Sequence, residues 1–116
     1  MVSLSTLREV ALSYPEATEE PHFEKTSFRV NKKIFATYDF NNNRACVKLS
    51  ELDQKVFSTS DGDNIYPVHN SWGTQGWTFI EMKTVRKDIF IDALTAAYCT
   101  VASKKLSERV KQRNIR

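Results

Sequence analysis

No stretch of this sequence approaches the ~18 consecutive apolar residues that a membrane-spanning helix needs, so no such helix is expected. The opening Met1-Val2-Ser3-Leu4-Ser5 has neither the basic nor the apolar region of a secretory leader, which makes the cytoplasm the expected location. Cysteine is scarce. Cys46 and Cys99 lie 53 positions apart inside apolar runs, which reads as two buried free thiols rather than a disulfide framework. Histidine is equally scarce. His22 has Glu19, Glu20 and Glu24 around it, but they flank Pro21 without a register that would converge them, and a zinc or iron site needs three or four ligands at restrained spacing. No metal and no cofactor is therefore expected. His69 has only Ser71 close by, in a glycine-flanked loop, and no nucleophile, base and orienting group fall together, so the chain reads as non-enzymatic. Repeats and linkers are missing as well, and 116 residues make a single domain large enough to bury a core without staples.

The net charge of +3 suggests an affinity for polyanions until it is located. Six of the 17 basic residues (Lys104, Lys105, Arg109, Lys111, Arg113 and Arg116) fall within 103–116 beside a single acid, Glu108. That leaves 11 basic against 13 acidic residues in the rest of the chain, a slightly acidic body. Total charge is thus no argument for nucleic acid, and only a local patch carries one. Such a patch exists between Lys25 and Lys48, where Lys25, Arg29, Lys32, Lys33, Arg44 and Lys48 face one acid, Asp39.

The pattern of apolar residues predicts an α+β fold. Leu4, Leu7, Val10 and Ala11 at helical spacing give a first helix over about 3–13, capped by Ser3 or Ser5 and ended by Tyr14-Pro15. Glu16, Glu19, Glu20 and Glu24 form an acidic connector broken by Pro21. Thr26 to Val30 and Ile34 to Asp39 make a hairpin around Asn31-Lys32-Lys33. Alternation puts Phe28, Val30, Phe35 and Thr37 on one face and Arg29, Ile34, Ala36 and Tyr38 on the other. Arg44 to Leu49 is a third strand with Ala45, Val47 and Leu49 inward. Ser50 caps a helix to about Ser58 with Leu52, Val56 and Phe57 inward. Ile65 to Val68 is at most an edge strand because of Pro67, residues 69–76 are a loop, and Trp77 to Met82 is a strand. A wide apolar stripe (Ile89, Phe90, Ala93, Leu94, Ala96, Ala97, Val101) marks a largely buried helix over about 84–102. The expectation is a two-layer domain over 1–103: an antiparallel sheet of four to five strands with N-terminal, middle and C-terminal helices mainly on one face. Residues 104–116 follow as a basic tail or helix extension.

Within this order the chain resembles the MmcQ/YjbR-like family of small bacterial proteins. The likeness rests on Leu12-Ser13-Tyr14-Pro15, Glu19-Glu20-Pro21-His22-Phe23, Phe28-Arg29-Val30 with Lys33-Ile34-Phe35-Ala36, Val47-Lys48-Leu49, Tyr66-Pro67, Gly76-Trp77, and Tyr98 with Lys104 and Lys105 beyond it. It runs from about residue 4 to 106. The resemblance implies an antiparallel α+β fold and DNA binding through a double-wing arrangement. Two departures are the hairpin turn, often Gly-Gly in relatives and here Asn31-Lys32, and a second tryptophan, Trp72, before Trp77.

Three functional readings follow. In the first, Arg29, Lys32, Lys33, Arg44 and Lys48 meet the phosphates of DNA, although lysines at a turn tip and arginines on an outward face also serve plain solvation and edge protection. The second is a protein-interaction or chaperone-like adaptor that docks a protein partner on Ile34, Ala36 and Tyr38. In the third, Trp72, Trp77 and His69 bind or stack on a small ligand, although Trp77, at a strand start, also suits the core. A monomer is favoured.

Overall fold

The computed structural model describes residues 1–113, so Arg116 of the basic segment lies outside them. The elements run α1 (Leu4–Ser13), β1 (Thr18–His22), β2 (Lys25–Val30), β3 (Lys33–Asp39), β4 (Arg44–Lys48), α2 (Glu51–Ser60), β5 (Ile65–Pro67), α3 (Ser71–Thr74), β6 (Trp77–Glu81), α4 (Lys87–Val101) and α5 (Lys104–Arg113). The strands form one antiparallel sheet in the order β1-β2-β3-β4-β6-β5. This is the expected two-layer α+β architecture, with one strand beyond the four to five anticipated. The additional strand is β1, drawn from the acidic connector. Pro21 bars that segment from a central position but not from an edge. Glu19 fastens it there, since its carboxylate accepts from Arg8 Nε of α1 at 2.9 Å and from Thr26 Oγ1 of β2 at 2.7 Å. Burial alone would raise the Glu19 carboxyl, but these bonds outweigh it and hold it below the ordinary carboxylate range.

α1 begins where expected, with the Ser3 hydroxyl accepting from the Thr6 amide at 3.1 Å, and ends at Tyr14, whose extended backbone precedes Pro15. Tyr14, Phe35 and Tyr98 then form an aromatic cluster with ring centroids 4.8–6.2 Å apart. The Tyr98 hydroxyl donates to the Pro15 carbonyl at 2.6 Å, so the end of α1, the middle of β3 and α4 are held at one point. α4 buries Phe90, Ala93, Leu94 and Ala97 above β3 and β4.

Strict alternation fails in β3. The register slips between Phe28 and Arg29: Phe28 pairs with Ala36 while Arg29 pairs with Ile34, which makes Phe35 the extra residue of a β-bulge. From Ala36 onward the facing is reversed relative to the expectation. Ala36 and Tyr38 are buried beneath the helices, and Thr37 turns outward. A protein-docking face built from Ile34, Ala36 and Tyr38 is therefore ruled out, because only Ile34 is on the uncovered side.

α2 also departs from its expected facing. Its Ser50 cap is as anticipated, but Leu52 (71% exposed) and Val56 point to solvent and only Phe57 packs on the core. The reason is Gln54, whose side-chain amide donates to the Gly73 carbonyl at 2.9 Å and to Thr78 Oγ1 at 3.0 Å. These bonds rotate the Gln54 side of the helix inward at the expense of the Leu52 side. The basic segment forms α5 after a break at Ala102, and it buries Leu106 and Val110 while Lys104, Lys105, Arg109 and Lys111 stay exposed.

Two outcomes test this packing. Leu106→Ala lowers the unfolding free energy by about 2–4 kcal/mol, because α5 is part of the core rather than an appendage. In the β2–β3 turn both Asn31 (φ 52) and Lys32 (φ 67) are left-handed, and a lysine there costs about 1 kcal/mol that glycine does not. Lys32→Gly accordingly stabilises the chain by about 1 kcal/mol in urea unfolding.

Candidate functional site

Helices cover one face of the sheet, and the other face is open. Cross-strand partners share a face, so the register places Lys25, Ser27 and Arg29 of β2, Ile34, Thr37 and Asp39 of β3, Arg44, Cys46 and Lys48 of β4, and Trp77, Phe79 and Glu81 of β6 on this uncovered side. Of these, Lys25, Ile34, Thr37, Asp39, Arg44, Cys46, Trp77 and Phe79 border a cavity of about 390 Å³, closed at its ends by His22 of β1 and by Val68 and Trp72. This is within the range of small-ligand sites, and its walls are mainly apolar with basic groups set among aromatic rings.

Glycines bring the Trp72 segment to the rim. A Cβ on Gly73 would lie 1.9 Å from the Val68 carbonyl oxygen, and one on Gly76 (φ 104) only 2.0 Å from that of Leu49, so neither position admits a side chain. Residues 69–76, expected as a loop, thereby fold into the single turn α3, with Asn70 Oδ1 accepting from the Trp72 amide at 2.9 Å. Trp72 is left 57% exposed at the cavity edge, while Trp77, whose place at a strand start suits the core, is half-buried and faces the cavity.

The cations on the face differ in freedom. Arg44 lies flat on Phe79, its guanidinium carbon 3.8 Å from the ring centroid, and donates to the Tyr66 hydroxyl at 3.3 Å. Its Nε is buried with no partner among the described residues. Tyr66 donates in turn to Glu81, and its hydroxyl is pushed up first by burial and then by that bond. Arg29 is held by Ser27 Oγ at 2.9 Å. Lys48 reaches the Gln75 carbonyl, 5.6 Å from the Trp77 ring centroid. Lys32 and Lys33 are exposed at the hairpin tip, and Lys25 is exposed beside the cavity. Asp39, the acid of this cluster, is occupied by Asn42 and by the backbone amides of Asn41 and Asn42, and the Asn42 bond holds its carboxyl low.

Of the residues singled out in the sequence, Arg44, Trp72 and Trp77 meet in the cavity, and Lys48 and Arg29 share the face. Lys32 and Lys33 stand at its end. His69 is exposed and stacks on Tyr66 at 5.8 Å, outside the cavity lining. Sequence reasoning passes over Phe79 and Tyr66, and meets Asp39 only as the one acid of the basic cluster. Phe79 is within its reach, since it lies two residues from Trp77 on the same strand and so shares its face. Tyr66 gives no signal of a place on this face until the pairing of β5 with β6 is known. Among the described residues no three His, Cys, Asp or Glu side chains converge on a metal-sized position, and no helix is long and apolar enough to cross a membrane.

The family model named YjbR matches residues 12–100, which takes in the whole sheet and most of α4. The chain belongs to the YjbR family. Among solved structures, this YjbR member is similar to protein DR2400 of Deinococcus radiodurans, whose domain is described as DUF419: the TM-score is 0.76 at 20% identity, over 97% of this chain and 88% of that one. That likeness shows the fold. No curated protein matches the chain in sequence.

At the centre of the face, burial pushes the Cys46 thiol up to about 11. A raised thiol favours the folded state while protonated, and that contribution is complete below the ordinary thiol range and is lost as pH climbs toward 11. At pH 8 only about one thiol in a thousand is then ionised, against about a quarter for an unperturbed cysteine. Iodoacetamide therefore alkylates Cys46 more than about two-hundredfold more slowly in the folded chain than in the urea-unfolded chain, as followed by peptide mass spectrometry.

Proposed function

We propose that this protein binds DNA, without chemistry on it, through the open face of its sheet, and that it takes the strand in unpaired form. Trp72 and Trp77 stack on bases, and Lys25, Lys32, Lys33 and Lys48 meet phosphates. One observation carries the reading: tryptophan rings and basic heads share a concave sheet surface that no helix covers. Flat rings on an exposed sheet suit splayed bases, which a duplex keeps stacked inside. The resemblance to a family described as DNA-binding points to the same class of partner, while the aromatic lining favours single strands over grooves. Arg44 has a different part. Pinned on Phe79 and tied to Tyr66 and Glu81, it forms the floor of the cavity and contributes less to phosphate binding than the freer Lys25, Lys32 and Lys33.

Fluorescence anisotropy with labelled 20-mers compares single-stranded and duplex DNA. The expected result is at least about tenfold tighter binding of the single strand, with quenching of tryptophan emission. Lys32→Glu/Lys33→Glu weakens binding at low salt and lowers the slope of log affinity against log salt by about 1.4, at about 0.7 for each single-strand phosphate that goes unneutralised. Equal affinity for duplex and single strand, or an unchanged salt slope in the double variant, would overturn the reading.

A further inference from the structure

The β1–β2 and β3–β4 turns project from the same end of the sheet, because His22 pairs with Lys25, Lys25 with Asp39, and Asp39 with Arg44. Each turn carries an exposed phenylalanine. Phe23 is 95% exposed and Phe40 51%. Phe23 is also left-handed, with φ 58, in a two-residue turn where glycine would sit without strain. A large apolar ring held in solvent on a strained backbone contributes nothing to the core, and strain of this kind gathers at binding sites. Its ring edge meets His22 at 4.9 Å, and His22 lines the cavity, so the tip continues the open face outward. Phe40, by contrast, touches Tyr38 edge-on at 5.2 Å, and Tyr38 belongs to the helix-covered side, so this ring leans away from the open face.

We infer that Phe23 is a further base-stacking station, and that a single strand crosses the open face diagonally from Trp72 and Trp77 to this turn tip. This rests on the nucleic-acid reading above and adds to it a path, a length and one stacking residue. The occupant is argued from charge and shape: Lys48, the cross-strand partner of Trp77, stands near the start of that diagonal and Lys25, the partner of His22, near its far end, and flat rings mark its two ends. Glu24 beside Phe23 and Glu20 on β1 repel phosphates at the tip, so the strand offers bases there and turns its backbone toward the lysines. From Trp77 to the Glu81 row is four residues, ~13 Å, and from β6 to β1 is four strand spacings, ~19 Å. The diagonal is thus ~23 Å, about seven nucleotides at the ~3.4 Å spacing of a stacked strand and fewer if it is stretched.

Oligothymidylates of two to twelve nucleotides, titrated against the full chain and followed by tryptophan quenching, test this. Affinity is expected to rise with length up to about seven nucleotides and then level off, beyond the purely statistical gain. Phe23→Ala should lose at least about tenfold for the eight-nucleotide strand and nothing for the two-nucleotide strand, which reaches only the tryptophans, whereas Phe40→Ala should leave both unchanged. Phe23→Gly separates stability from binding: it relieves the left-handed backbone and raises the unfolding midpoint, yet weakens binding of the eight-nucleotide strand as Phe23→Ala does. Quenching that levels off at two or three nucleotides and is unaffected by the Phe23 variants would overturn the path while leaving the tryptophan site intact. No quenching at any length would overturn the nucleic-acid reading itself and leave the exposed rings as anchors for a protein.

Discussion

Where β2 and β3 slip by one residue at Phe28 and Arg29, the inserted Phe35 turns toward the helices and completes the cluster with Tyr14 and Tyr98. The rest of the structure depends on that slip. It reverses the alternation of β3, sending Ala36 and Tyr38 beneath α4 and leaving Ile34, Thr37 and Asp39 on the uncovered side. β4 and β6 take their facing from β3 through the ladder, so the positions of Arg44, Lys48, Trp77 and Phe79 on one concave surface follow from the same irregularity. Without the bulge, Thr37 would be driven into the core and an alanine and a tyrosine would form the floor of the open face.

The open face does not collapse because its apolar atoms are partly shielded by its own cations. The guanidinium of Arg44 covers Phe79, and the Lys48 stem runs beside Trp77. This gives the surface two functions at once, a weak cover for the rings and a reserve of positive charge. The arrangement is asymmetric. At the β6 side the cations are tied to neighbouring oxygens, whereas Lys25, Lys32 and Lys33 across the sheet are exposed and surrounded by water.

Much of this can be read from the chain before folding, and the failures have physical causes. Serine caps at Ser3 and Ser50 and the proline after Tyr14 are local signals, so α1 and the start of α2 fall where expected. The apolar stripe of α4 is dense enough to survive any error of register. Alternation in β3 fails because a bulge is chosen by tertiary packing of Phe35 and leaves no mark in the local pattern. Apolar character alone places Leu52 and Val56 inside, while the bonds of Gln54 to Gly73 and Thr78 decide how α2 is turned. β1 reads as a charged connector because its strand character comes from its neighbour and from Arg8, not from its own residues. As for the site, its basic half is visible as a cluster, but the joining of that cluster to Trp72 and Trp77 depends on two close glycine approaches that only the folded chain reveals.

Both outer strands of the sheet, β1 and β5, contain a proline, Pro21 and Pro67. Each therefore has one amide donor fewer to offer a further strand, and β5 is only three residues long. Among the described residues the sheet ends at six strands. A second copy cannot readily add itself side by side, nor can an extended peptide zip onto either margin. Association must then use the broad surfaces, and because one of these is filled by helices, crowding and misfolding pressures on this protein concentrate on its single bare side.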